Sequence, residues 1–119
     1  MVKKWEIYFL DFDPIKGSEQ RGVRPALIIS NDSVNKHLPL FTVIPFSSIK
    51  EGAKIYPSEV ALPTSVTGLS KDSVAMLQQI RTMSTDRLQS VTKVGEITDK
   101  KYREKINRAI VEYFELEAT

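Results

Sequence analysis

Apolar residues come along this chain in closely spaced runs of strand length, and they switch to helical spacing only once, near the C-terminus. From Lys4 to Leu10 they alternate, with Trp5, Ile7 and Phe9 on one face and Glu6, Tyr8 and Leu10 on the other, the pattern of a strand covered on one side and partly on both. Ala26-Leu27-Ile28-Ile29 is a continuous apolar run, expected as a central strand. Phe41 to Phe46 (FTVIPF) is expected as a third, with Pro45 near its end, where an edge or bulge tolerates the missing backbone donor. Glu59 to Leu62 and Ser73 to Leu77 read as further short strands, and Gln79 to Met83 as one more, with loops over Lys50 to Lys54 and Pro63 to Gly68. Asn31-Asp32 offers a cap for a helical turn through Lys36, and Ser84 to Ser90 is a second short helical candidate. Tyr102, Ile106, Ile110 and Tyr113 or Phe114 then recur at helical spacing behind Thr98 as N-cap, which predicts a C-terminal helix with one buried stripe. Short strands with turns at close intervals favour a compact barrel or sandwich over a parallel sheet.

Length and charge bound the rest. The 119 residues are expected to form one domain over 1–119, with no repeat and no second unit; a core of this size leaves apolar surface hard to cover, so a dimer is expected. The net charge of +2 is evenly spread, with 8 Lys+Arg against 7 Asp+Glu up to residue 60 and 9 against 8 beyond it. No polybasic arm announces binding to long duplex nucleic acid. The absence of cysteine removes disulfides, thiolate metal sites and a cysteine nucleophile together, and the N-terminal apolar run is broken by Glu6 and Asp11, too short for a signal peptide or a membrane span. A cytoplasmic protein is the expectation. With a single histidine and no HxxE or DxD cluster, no metal or other cofactor is expected; His37 reads as a loop residue rather than a general base.

What remains is chemistry centred on arginine. The stretch GSEQRGVRP, residues 17–25, puts two glycines, a carboxylate and two guanidinium groups into one connection between strands, far more than a turn requires. Arg24 ends that loop beside Pro25, which pushes it toward extended backbone, so a rigidly held planar head suited to bidentate phosphate binding is one reading. From residue type alone, a surface arginine paired with Glu19 is the more common arrangement. Ser47 and Ser48 close the third strand either as site hydroxyls or as turn formers. Gln78-Gln79-Ile80-Arg81-Thr82 is polar where a sheet interior is expected, which suggests a buried hydrogen-bond network or a base-reading group.

DFDPIKGSEQRGVRPALIISND, then VIPFSS, then KDSVAMLQQIRTMSTDRL, in this order and spacing, resemble the MazF/PemK family of toxin endoribonucleases, the mRNA interferases of type II toxin–antitoxin systems. The resemblance runs from about Lys4 to about Tyr113. It implies a mainly β fold, an SH3-like small barrel with a C-terminal helix and short accessory helices. It also implies a homodimer that cleaves single-stranded RNA without a metal, the 2′-hydroxyl attacking the adjacent phosphorus. On that resemblance Arg24 stabilises the phosphate, Ser47 supplies a hydroxyl where several relatives have threonine, and Glu19 matches a loop carboxylate proposed as base. Gln79 falls at substrate contact, together with Lys16, Ser18, Arg21, Ser48 and Gln78. An antitoxin with an acidic, partly disordered tail is implied as partner, with Lys16, Arg21, Lys50 and Lys54 placed to receive it. PemK-type relatives carry His, Arg and Asp where this chain has Ser18, Met76 and Gln78, so it sides with the MazF branch. The alternatives are a gyrase-binding toxin of the CcdB kind, whose C-terminal Trp is missing from EYFELEAT, and an RNA-binding barrel without catalysis.

Overall fold

The computed structural model describes residues 1–14, 16–19, 21–88 and 91–117. Its strands are β1 (Glu6–Asp11), β2 (Val23–Ile28), β3 (Leu40–Ser48), β4 (Glu59–Leu62), β5 (Ser73–Met76), β6 (Arg81–Ser84) and β7 (Lys93–Glu96). Its helices are α1 (Asp32–His37), α2 (Thr64–Thr67) and α3 (Lys100–Tyr113). The strands pair antiparallel in the order β4-β5-β3-β2-β1-β7, with β6 alongside β3, and the sheet curls into a half-barrel with α3 against it.

Strand β3 organises this sheet. One edge of it pairs with β2, while the other pairs with β6 as far as Val43 and with β5 from Phe46 onward. Pro45 sits between those two partners. It is therefore buried inside the strand rather than near its end, and its missing N–H falls where neither β5 nor β6 offers an acceptor.

Both faces of the curled sheet are covered, which is why β2 and β3 read as continuous apolar runs. Leu27, Ile44 and Phe46 join Trp5, Ile7, Leu62 and Leu77 in one cluster, closed by Ile106 and Ala109 of α3. Ala26, Ile28, Phe41 and Val43 join Val2, Leu10, Phe12 and Met83 in the other. Successive residues alternate between the two clusters, as the pleat requires.

Several expectations shift. Strand β2 begins at Val23, so Arg24 lies inside a strand rather than at the end of a loop. Phe9 keeps the face of Ile7 through the unbroken β1–β2 register but lies beyond the core cover and stays exposed. Residues Thr64–Thr67 form a helical turn, not a loop, and β7 forms where no strand was expected. Helix α3 is capped by Asp99, whose side chain accepts from the Lys101 amide at 2.9 Å, in place of Thr98. The apolar stripe of α3 ends at Ile110, leaving Tyr113 and Phe114 exposed. Of the Ser84–Ser90 candidate, Thr85–Leu88 form a 3-10 turn, and Gln89 and Ser90 lie outside the described residues. The Asn31 cap holds, accepting from the Val34 amide at 2.9 Å. No helix among the described residues is long and apolar enough to cross a membrane.

One buried charge ties β1 to β7. Glu6, 7% exposed, accepts from the Lys3 amide at 2.7 Å and the Tyr8 hydroxyl at 3.0 Å, and pairs with Lys93 Nζ at 2.8 Å. Burial pushes the Glu6 pKa up, but the bonds from Lys93, the Lys3 amide and Tyr8 together outweigh it and hold the carboxyl below its ordinary value. The contribution of Glu6 to stability is therefore complete above the ordinary carboxylate pKa and is lost as pH falls through the depressed one. Glu6→Gln is expected to cost about 2 kcal/mol at neutral pH, the scale of a charge-assisted bond to a buried group. Urea unfolding of both proteins should show that gap closing on acidification; a gap independent of pH down to 3 would refute the linkage.

Candidate active site

Arg24 and Ser47 come to one pocket just past the end of a strand pairing. The β2–β3 ladder closes at Ala26 opposite Pro45, and Arg24 and Ser47 each lie two residues beyond that pair on their own strand. Both line a pocket of about 190 Å³ with Phe9, Pro25, Ser48, Leu69, Ser70, Lys71 and Ser73. Ser47 and Ser48 are fixed from the far side by pairing with Val74 and Ser73 of β5. Arg24 is half-buried, and its Nε donates to the Arg21 carbonyl at 3.1 Å, so its head is oriented by the loop it closes.

The lining sets the electrostatics. Two cations, Arg24 and Lys71, face serine hydroxyls and an apolar rim of Phe9 and Leu69; among the described residues no carboxylate lines the pocket. A concave surface with guanidinium, ammonium and hydroxyl donors suits a phosphate group. Among the described residues, no three His, Cys, Asp or Glu side chains are grouped to hold a metal ion.

The connection between β1 and β2 closes over this edge. The Phe12 amide donates to the Gly22 carbonyl at 3.0 Å, and the Gly22 amide lies 3.3 Å from Asp13 Oδ1. Gly17 and Gly22 have φ of +54° and +76°, the left-handed region that other residues enter at a cost. Lys16, Ser18, Glu19 and Arg21 are exposed on this loop. Glu19 does not line the pocket; its Oε1 accepts from the Lys16 amide at 2.6 Å.

The polar QQIRT segment divides its work. Gln79 donates to the Ser18 carbonyl at 3.1 Å, which joins it to the loop. Gln78 points elsewhere, donating to Glu59 Oε2 at 2.9 Å and accepting from the Ser58 hydroxyl at 2.8 Å. Thr82 shares a hydrogen bond with Thr42 at 2.9 Å. Arg81 Nη1 donates to the Phe12 carbonyl at 2.9 Å, and Arg87 Nη1 donates to the carbonyls of Asp11 and Asp13. The expected buried network does not form, because the segment follows the sheet surface: Gln78 and Thr82 are exposed and bond elsewhere, and only Gln79 and Arg81 reach the β1–β2 connection and its root. Lys71, Ser70 and Ser73 of the pocket were not legible as site residues, although Lys71 and Ser73 lie within the KDSVAML block and Ser70 precedes it. His37 is exposed at the end of α1, its Nδ1 2.9 Å from the Ser33 carbonyl. Trp5 is packed in the core.

Comparison with known proteins gives this arrangement a family. Residues 3–114 match the model of the PemK-like, MazF-like toxin of type II toxin–antitoxin systems. The chain belongs to that family. It is 41% identical over 110 residues to an endoribonuclease MazF of Staphylococcus saprophyticus, covering 92% of this chain and 88% of the relative. Among solved structures, MazF from Deinococcus radiodurans superimposes with a TM-score of 0.76 at 26% identity, with 97% of each chain covered. A mycobacterial endoribonuclease solved with its cognate antitoxin superimposes at 0.73 over the whole of both chains; at 22% identity it bears on the fold alone. The mainly β fold with its C-terminal helix, expected from the MazF/PemK resemblance, is the fold observed.

Proposed function

We propose that this member of the MazF/PemK family is a sequence-specific, metal-independent endoribonuclease toxin that cuts single-stranded mRNA. The 2′-hydroxyl attacks the adjacent phosphorus, and the products carry a 2′,3′-cyclic phosphate and a 5′-hydroxyl. The observation that supports this reading best is the pocket that Arg24 and Ser47 line together, with Lys71 beside them and, among the described residues, no acidic lining. Negative charge grows on the nonbridging oxygens in the transition state, and a preoriented guanidinium is the group that stabilises it. The 2′-hydroxyl proton passes to the base, Ser47 donates to the same phosphate, and Arg24 gives a proton to the departing 5′ oxygen and regains one from water.

Glu19 is the loop carboxylate proposed as base. Its bond to the Lys16 amide must open for it to reach the 2′-hydroxyl. Lys16, Ser18 and Arg21 lie along the incoming strand, Ser48 and Gln79 contact it at the pocket and the loop root, and Gln78 acts indirectly through Glu59. The chain works as a homodimer in the cytoplasm, and an antitoxin with an acidic tail that folds on binding covers the groove, its charge met by Lys16, Arg21, Lys50 and Lys54. The similarity to a protein named endoribonuclease MazF supports the activity. The test is the chemistry of the ends: purified chain incubated with a long unstructured RNA should give 5′ ends that accept phosphate from a kinase directly and 3′ ends blocked as cyclic phosphates. Products with 5′-phosphates would rule the mechanism out.

A further inference from the structure

We propose that the hollow on the other side of Ser47 and Ser48 is a nucleobase subsite that selects a base bearing an exocyclic amino group, next to the cut. This rests on reading the Arg24 pocket as the seat of the scissile phosphate. The hollow encloses about 200 Å³ and shares Ser47 and Ser48 with that pocket, so one wall of hydroxyls separates the two. At that size it lies below the roughly 300–1,000 Å³ of pockets for drug-sized ligands, which favours a single heterocycle.

Its chemistry is that of a base site. Its lining includes the buried side chains of Val74 and Met76 and the exposed Ile55 and Tyr56, the latter 55% exposed. An exposed aromatic ring beside a phosphate path is a stacking platform. Lys54 Nζ lies 5.9 Å from that ring centroid and Lys50 lines the same hollow, giving the cationic flank a polynucleotide strand requires.

Specificity comes from Glu59. Its Oε1 accepts from the Tyr56 amide at 3.0 Å and its Oε2 from Gln78 Nε2 at 2.9 Å, and Gln78 is held in turn by Ser58. The carboxylate is thereby oriented in the hollow, and two acceptor positions remain of its roughly four. A fixed acceptor pairs with the amino group of adenine, cytosine or guanine; at that exocyclic position uracil presents a carbonyl oxygen, and its one donor, N3–H, lies between two carbonyls that repel the carboxylate.

The experiment maps cleavage by the full chain on single-stranded RNA randomised on both sides of the cut, with Tyr56→Ala and Glu59→Gln beside the wild type. Loss of stacking in Tyr56→Ala should raise KM about tenfold with kcat little changed. Glu59→Gln, which trades an acceptor for a donor, should lose about tenfold of the discrimination against uracil at one position flanking the cut, the others keeping their preference. An unchanged recognition word and KM in both variants overturns the proposal. So does a change confined to antitoxin affinity, which would assign the hollow to a protein partner. A wild type that cuts no RNA removes the proposed function as well, whereas RNA cut with unchanged preference removes only this subsite.

Discussion

RNA cleavage by Arg24→Ala is expected to be slower than wild type by roughly 100- to 1000-fold, the usual loss for one preoriented donor that stabilises developing charge. The side chain rises from the second residue of β2, anchored by the β1 pairing of Leu10 with Arg24, so truncation leaves the scaffold in place. Its partial exposure means the change removes a head group from a pocket rather than from a core. Arg24→Lys is expected to fall between, since it restores the charge but not the planar fork. Single-turnover cleavage with saturating enzyme measures the effect on chemistry, and thermal unfolding of each variant controls for fold. Wild-type rates in the alanine variant would dismiss the assignment.

The larger effect is expected on the substrate side. An RNA in which only the cleaved linkage carries a 2′-deoxyribose should not be cut at that linkage, because the nucleophile itself has been removed. Binding should survive, since in the proposed site Arg24, Lys71 and the serine hydroxyls that line the pocket would address the phosphate and not the sugar. EDTA should leave cleavage of the all-ribose RNA unchanged, the charge stabilisation being supplied by side chains. Cleavage at the deoxy linkage would mean that water attacks, and the roles given to Glu19 and Ser47 would have to be redrawn.

The sequence carried the scaffold well where residues are buried on one or both faces. The runs that became β2, β3, β4 and β5 are apolar because the sheet is covered on both sides, and that burial is visible as composition. Strand β7 was missed because Lys93–Glu96 is half-exposed, with only Val94 apolar. Gly95 gains meaning only beside α2: a Cβ there would lie 2.5 Å from the Thr67 carbonyl oxygen. Asp99 and Thr98 are both good N-cap residues, and the backbone chooses between them. For the candidate site, the sequence pointed to Arg24 and Ser47, which line one pocket, but not to Lys71 or to the duties of Arg81 and Arg87. The two arginines meet carbonyls 69 to 76 residues away, a separation no local pattern encodes.

The grip of Arg81 and Arg87 falls on main-chain oxygens of Asp11, Phe12 and Asp13, which every amino acid possesses. Side chains further along the connection can therefore be exchanged over generations without unfastening its base. Under the proposed function, this separates the side chains that would read the RNA from the fastening that holds their loop in place.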